Sequence, residues 1–235
     1  MNIVITGASR GIGFETAKRF ASLGDNNIVA ISRDEAKLKE LKNACIRENI
    51  QAHLYPLAFN IEDAAAVETE LLLKVKQLVP SVDIVINNAG ALVNKPFELM
   101  PAHDMQRMIN VNLMAPALVV KTLLPILSKP AHIVNISSMG GFQGSVKFPG
   151  LSMYSATKAG LASLTECLAE EFKNKKISVN CLALGAVQTE MLNEAFPGLT
   201  APLKANEMAE YVAEFAMNGN KYFNGKVIPV SKTTP

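Results

Sequence analysis

Asn2-Ile3-Val4-Ile5-Thr6-Gly7-Ala8-Ser9-Arg10-Gly11-Ile12-Gly13 opens the chain, and its reading decides the fold. Ile3-Val4-Ile5 is a run of β-branched residues suited to a strand. From Ile12 to Leu23 the apolar side chains Ile12, Phe20 and Leu23 share one helical face, and Gly24 supplies the stop. Three glycines (Gly7, Gly11, Gly13) lie between strand and helix. They let the backbone turn tightly and approach a pyrophosphate, while the helix N-terminus offers unsatisfied N–H groups and a positive dipole end. Glycines also make ordinary turns. The strand-loop-helix setting is what turns this trio into a dinucleotide-binding signal.

The same alternation continues along the chain. Strands are expected at Ile28–Ile31, His53–Phe59 (with Pro56 in its middle), Val82–Ile86, His132–Ile136, Ile177–Leu182 and Lys226–Val230. Helical patterns run from Asp34 to Glu48, Glu62 to Val79, His103 to Asn112, Leu113 to Leu127, Tyr154 to Phe172 and Met208 to Met217. The strands are mostly continuous apolar runs, as burial on both sheet faces requires. That predicts an α/β fold, a doubly wound parallel sheet of about seven strands with helices on both faces. No Pro/Gly/Ser-rich linker or repeat divides the chain, so residues 1–235 are expected to form a single domain.

Composition narrows the function. Of 235 residues, 49% are apolar and 19% charged, which permits a substantial core and excludes disorder as the main state. The 23 basic and 21 acidic side chains leave a formal charge of +2, without the basic surface that a nucleic-acid partner demands. Cys45, Cys167 and Cys181 form no C-x-x-C pair, which argues for reduced thiols over a disulfide scaffold or a zinc knuckle. His53, His103 and His132 lack metal-ligand spacing, so no metal is expected. The stretch Leu113–Leu127 is interrupted by Pro116, Lys121 and Pro125, and is shorter than the ~20 residues of a bilayer-spanning helix. The chain opens as a strand, not as a signal peptide. By elimination the expected location is cytoplasmic, with no membrane partner.

The loop spacing is T-G-x-x-x-G-x-G, and Asn87-Asn88-Ala89-Gly90 follows the fourth strand. In these motifs the chain resembles the short-chain dehydrogenase/reductase family, in its short single-domain branch, over nearly its whole length. The resemblance implies a Rossmann-type fold with a nicotinamide dinucleotide held by Gly7, Ser9, Arg10, Gly11, Ile12 and Gly13. It implies that Asn88 and its neighbours support the sheet and line the cofactor cleft. Asn60-Ile61 stand where the family often has Asp, and the Asn60 carbonyl can still accept from the adenine amino group. Gly185, Val187 and Thr189 match a stretch that meets the nicotinamide carboxamide in the family, with Leu184 in place of its usual proline.

An acidic residue ending the second strand would bind both ribose hydroxyls and repel a 2′-phosphate. That strand ends in Ser32 and Arg33 instead, and Arg10 sits in the glycine loop. Basic residues at these two places clamp the 2′-phosphate in the family, and a planar guanidinium suits that role. NADP(H) is therefore expected in preference to NAD(H), which stays possible. Asp34 is read as the N-cap of the helix that follows.

Tyr154-Ser155-Ala156-Thr157-Lys158 places a phenol and an ammonium on one helical face. A nearby cation favours phenolate, and moving the phenol from ~10 to ~7 takes about 4 kcal/mol of differential stabilisation. So tuned, Tyr154 could give a proton to a carbonyl oxygen or take one back. The chain carries its own control, because Tyr222 and Lys226 repeat the spacing across an Asn224-Gly225 turn signal. The resemblance implies partners for the first pair only. Ser138 would hold the substrate oxygen, with Ser137 as the rival. Asn112 would hold a water linking Lys158 to solvent, with Asn110 as the rival. Lys158 would also hold the nicotinamide ribose.

Two segments depart from the family pattern. Gly140–Ser145 lengthens the loop between Ser138 and Tyr154, either reshaping the substrate mouth or bulging at the surface. The segment after Thr189 is short, with Met191, Leu192, Phe196 and Leu199 as a compact apolar lid bent at Pro197-Gly198. Leu113–Leu127 and Leu161, Leu164 and Leu168 carry more apolar face than one sheet face needs, and the resemblance implies that these two helices pair across a two-fold axis, so a homodimer or homotetramer is expected. The expected function is an NADPH-dependent carbonyl reductase or secondary-alcohol dehydrogenase. The alternatives are a 3-oxoacyl-thioester reductase acting on an acyl-carrier partner, and a non-catalytic NADP-binding regulatory protein.

Overall fold

The apolar runs become strands and the amphipathic ones helices in the computed structural model, which describes residues 1–232. In chain order these are β1 (Asn2–Thr6), α1 (Gly11–Ser22), β2 (Asn27–Ser32), α2 (Glu35–Glu48), β3 (His53–Ala58), α3 (Ala64–Thr69), α4 (Leu71–Lys76) and β4 (Val82–Asn87). Then come α5 (Ala102–Ile109), α6 (Ala115–Leu123), β5 (Leu127–Ser138), α7 (Ser152–Phe172) and β6 (Ile177–Leu184). The chain continues with β7 (Val187–Gln188), α8 (Glu190–Ala195), β8 (Leu203–Lys204), α9 (Ala205–Asn218) and β9 (Val227–Val230).

Seven strands form one parallel sheet in the order β3-β2-β1-β4-β5-β6-β9, as expected. Alternate residues of each strand face opposite layers. Ile3 and Ile5 of β1 pack with Phe20 of α1, Leu41 of α2 and Val212 of α9. Val4, between them, packs in the opposite layer with Val67, Leu71, Val119 and Phe172. Two-sided burial is why the strands read as unbroken apolar runs. Pro56 fits because β3 is an edge strand, where a missing N–H leaves no gap in the ladder. Asp34 caps α2 by accepting from the Lys37 N–H at 3.0 Å.

Two helical expectations need correction. The Glu62–Val79 pattern is bent at Glu70 into α3 and α4. The two stretches expected at His103–Asn112 and Leu113–Leu127 are one continuous helical run from Ala102 to Ile126. It passes through a π turn at Asn110–Met114, and Pro116 falls in the first turn of α6, where a missing N–H costs nothing. By length and composition this run could cross a membrane. Here Val119, Val120 and Leu123 of its inner face pack against the sheet.

Several polar groups in the core pair with one another, between strands and from strand to helix. Asn87 Nδ2 donates to Asn135 Oδ1 at 2.8 Å, and Asn135 Nδ2 donates to Thr165 Oγ1 at 2.8 Å. His132, 1% exposed, is held by the Ala216 carbonyl at Nδ1 (2.8 Å) and by the Asn180 amide at Nε2 (3.0 Å). A carbonyl at Nδ1 demands an N–H there, so Nε2 must accept and the ring is neutral. Burial pushes its pKa down from 6.5 to about 4.

The unfolded chain therefore takes up a proton on His132 that the folded chain refuses, so stability present above pH 6.5 is lost as pH falls toward 4. Urea unfolding followed from pH 7 to pH 4 should show His132 contributing a loss of about 3 kcal/mol. The slope in this window should be shallower in His132→Phe, and an unchanged slope would remove the ring as its source.

Candidate functional site

A parallel sheet opens a crevice where its winding reverses, at the carboxyl ends of the strands on either side. The reversal here lies between β1 and β4. The two strand ends are locked together by Asn88, whose Nδ2 donates to the Thr6 and Gly7 carbonyls at 3.1 and 3.0 Å. Thr6 Oγ1 accepts in return from the Asn88 and Ala89 N–H groups, both at 3.2 Å. The lock leaves no room for side chains. A Cβ on Gly7, whose φ is +68°, would stand 2.7 Å from Ala89 Cα. One on Gly13 would stand 2.3 Å from Asn88 Nδ2 and 2.5 Å from the Gly7 oxygen. The glycines thus hold the backbone close to the crevice with α1 starting directly behind it, a cradle that suits a pyrophosphate.

Above the cradle is a cavity of about 620 Å³. Gly7, Ser9, Arg10, Gly11, Ile12, Arg33, Asn60, Ile61, Asn88, Val187 and Thr189 all line it, as do Ser138, Tyr154 and Lys158. Of the residues singled out in the sequence, Gly13 and Asn112 stand behind the wall. Val187 pairs with Leu203 in a small second sheet of β7 and β8, Thr189 caps α8, and the turn that leads to them leaves the end of β6. Leu184 pairs with both Ser138 and Val230, and the Gly185 N–H donates to the Val230 carbonyl at 2.9 Å. That ladder supplies the rigidity that a proline would have given.

Tyr154 and Lys158 both come from the start of α7; Lys158 is buried and Tyr154 is half-buried where it lines the cavity. Lys158 Nζ lies 6.0 Å from the centre of the Tyr154 ring and donates to the Ile136 carbonyl at 2.8 Å. Burial brings the Lys158 pKa down to about 8. In the protein alone Lys158 is not among the groups that move the Tyr154 pKa. Burial raises it, against a smaller downward pull from its hydrogen bond with Ser138. Tyr154 is thus protonated at neutral pH. The two serines separate cleanly, since Ser137 Oγ is committed to the Lys158 carbonyl at 2.8 Å while Ser138 stays beside the phenol. The Tyr222-to-Lys226 repeat is surface chain, with Tyr222 81% exposed and no helix between.

Asn112 sits in the π turn and is fully buried. Its side chain is engaged with the protein: Oδ1 accepts from Ala91 N at 2.8 Å, and Nδ2 donates to Ala91 O and Thr157 Oγ1 at 2.9 and 3.0 Å. Its backbone carbonyl differs, because the residue four positions on is Pro116, which has no N–H to close an α-helical bond. Asn110 points elsewhere, accepting from Gln106 at 2.8 Å.

The two departures from the family pattern also find places. The longer loop does reach the mouth, where Phe148, 48% exposed, and Leu151 line the cavity. Met191, Leu192, Phe196 and Leu199 line it from the lid side. Sequence reading missed the acids around the two arginines. Arg10 bonds Glu194 through both Nη atoms and Glu190 at 3.4 Å, and Arg33 bonds Glu62 at 3.3 Å. The i, i+4 spacing of Glu190 and Glu194 was a legible signal that they share a face. Arg107 on α5 also lines the cavity and was not singled out. No group of three or more metal-ligating side chains occurs among the described residues.

Comparison with known proteins agrees with this geometry. A family model described as short chain dehydrogenase matches residues 1–199. The chain is 31% identical over 240 residues to a 3-oxoacyl-[acyl-carrier-protein] reductase of Thermotoga maritima, spanning 97% of this chain and 94% of that one. It is 34% identical over 195 residues to a fatty acyl-CoA reductase of Acinetobacter baylyi, covering 80% of this chain but only 63% of that relative's length. Among solved structures, a 3-ketoacyl-(acyl-carrier-protein) reductase from Brucella melitensis complexed with NADH matches with a TM-score of 0.85 at 27% identity, over 97% of this chain and 96% of that one. With its crevice at the β1/β4 reversal and its matched residues reaching from the glycine cradle to the lid, the chain belongs to the short-chain dehydrogenase/reductase family of oxidoreductases.

Proposed function

We propose that the protein is an NADPH-dependent carbonyl reductase acting reversibly on a ketone or a secondary alcohol. The observation that carries this reading is one cavity with Ser138, Tyr154 and Lys158 in its wall and the glycine cradle, Arg10 and Arg33 beside it. The cofactor of the family is NAD(P)(H), which supplies or accepts a hydride at the nicotinamide ring. Gly7, Ser9, Gly11, Ile12 and Asn88 would hold its pyrophosphate end, Asn60 and Ile61 its adenine, and Val187 and Thr189 its carboxamide. The absence of an acid at the end of β2, with Arg33 there instead, supports NADP(H) over NAD(H).

Ser138 holds the substrate oxygen beside the phenol, and Tyr154 gives that oxygen its proton in reduction or takes it in oxidation. Lys158, buried and poised near pH 8, holds the nicotinamide ribose and can pass a proton onward. The Asn112 backbone carbonyl, to which Pro116 offers no N–H, would hold the water through which that proton reaches solvent. A second reading, reduction of a 3-oxoacyl thioester, is supported by the names of the related 3-oxoacyl-[acyl-carrier-protein] reductases and by the apolar mouth at Phe148 and Leu199. A non-catalytic nucleotide-binding role gains no support while Tyr154 and Lys158 both stand in the cavity.

We read residues 1–232 as one cofactor- and substrate-binding unit that works in the cytoplasm, where its three unpaired cysteines stay reduced. Met114, 46% exposed, and the half-buried Leu164 and Leu168 leave apolar surface on the α6 and α7 side that a second copy would cover.

Tyr154→Phe should lower turnover of ketones with NADPH by at least about a hundredfold, the usual size of a general-acid contribution, with NADPH binding retained. Turnover at the parent rate would dismiss the mechanism. Arg33→Ala should weaken NADPH binding by about tenfold, as loss of a charge-assisted hydrogen bond does, and leave NADH nearly unchanged. Equal losses, read by fluorescence titration, would remove the clamp. Light scattering at micromolar concentration should return at least twice the monomer mass, and a monomer would reject the assembly.

A further inference from the structure

We infer that Glu194 is a cofactor-specificity residue: from the lid helix it occupies Arg10 in competition with the 2′-phosphate of the dinucleotide. Phosphate binding and release of the lid are thereby coupled. The inference rests on the assignment of Arg10 to that phosphate.

Arg10 belongs to the glycine loop and Glu194 to α8, which starts after Thr189 and covers the cavity. Glu194 takes the end-on fork of the guanidinium, with Nη1 to Oε1 and Nη2 to Oε2, the latter at 3.2 Å. Glu190, one turn earlier, takes Nη1 as well at 3.4 Å and reaches Lys37 at 3.8 Å. Arg33 is matched by Glu62 at 3.3 Å. The two arginines assigned to the phosphate, Arg10 and Arg33, are therefore each already paired with a carboxylate.

A phosphate has two ways onto Arg10. On the occupied fork it replaces Glu194. On the remaining Nε–Nη2 edge it stands beside two carboxylates that repel it. Either way the Glu194 charge opposes a 2′-phosphate and leaves a plain ribose untouched. The pair is solvent-accessible, with Arg10 37% and Glu194 62% exposed, so the opposition is modest. Exposed pairs of this kind shift an equilibrium about two- to fivefold.

The same contact fastens the lid. α8 is capped at its start by Thr189 Oγ1 accepting from Leu192 N (3.2 Å), and is tied at its end by Asn94 Nδ2 donating to the Ala195 carbonyl (2.9 Å). Between them the Arg10–Glu194 bridge ties the helix to the glycine loop, beside the Gln188–Asn193 bond and the Glu190 contacts. Met191, Leu192 and Phe196 project from this segment into the cavity. Losing the bridge leaves the segment held at both ends and looser in between.

Calorimetry with 2′,5′-ADP and 5′-AMP, together with amide hydrogen exchange over residues 190–199, tests this on the parent protein and on Glu194→Gln. The variant should bind 2′,5′-ADP about two- to fivefold more tightly than the parent, with 5′-AMP unchanged. In the parent, 2′,5′-ADP should speed exchange in the lid and 5′-AMP should not, whereas the unliganded variant should exchange fast from the outset. A parent that holds both nucleotides equally overturns the phosphate assignment and the competition with it. A parent that discriminates, beside a variant with the parent's affinities and lid exchange, overturns the competition alone.

Discussion

One side chain holds the site open. The Asn88 amide, spent on the carbonyls of Thr6 and Gly7, fixes the end of β1 against the end of β4 at the point where the sheet changes its direction of winding. A carboxylate there could not donate, and a shorter side chain would not span the gap. Because the Asn88 side chain fills the space that a Cβ on Gly13 would need, the loop comes close enough to the crevice to present backbone N–H groups rather than side chains. The cradle, the start of α1 and the cavity above them all depend on that contact.

Burial is the second constraint, and it acts on the two ionisable groups in opposite senses. Out of water both prefer to be neutral, so the phenol of Tyr154 is pushed up and the ammonium of Lys158 down. A protonated phenol and an ammonium poised near neutrality suit a donor refilled from behind. Asn112 shows how local backbone geometry serves the same site: it stands in the π turn, and Pro116, four residues on, has no N–H to offer its carbonyl an α-helical bond.

Around this centre the structure uses charge at the surface and hydrogen bonds inside. Arg10 and Arg33 stay accessible and are balanced by carboxylates that the solvent partly screens. Within the sheet, Asn87, Asn135 and Thr165 bond one another, and His132 is fixed as a neutral ring between Ala216 and Asn180. These groups carry no charge into the core, which keeps the cost of burial low.

Much of this was legible in the chain. Unbroken apolar runs such as Val82–Ile86 announce strands buried on both faces, and the glycine spacing after β1 announces a close backbone approach, because both patterns record local constraints. The i, i+4 spacing of Tyr154 and Lys158 put both on one face for the same reason. The direction of the Tyr154 pKa was not legible. It depends on how much water the fold removes, which no pair of residues determines. Nor was the union of Arg10 with Glu194, 184 positions apart, or the commitment of the Asn112 side chain to Ala91. Sequence determined which elements form and which side chains share a face, since these follow from short-range geometry. Tertiary structure alone decided which groups meet, because partners distant in the chain are chosen by packing.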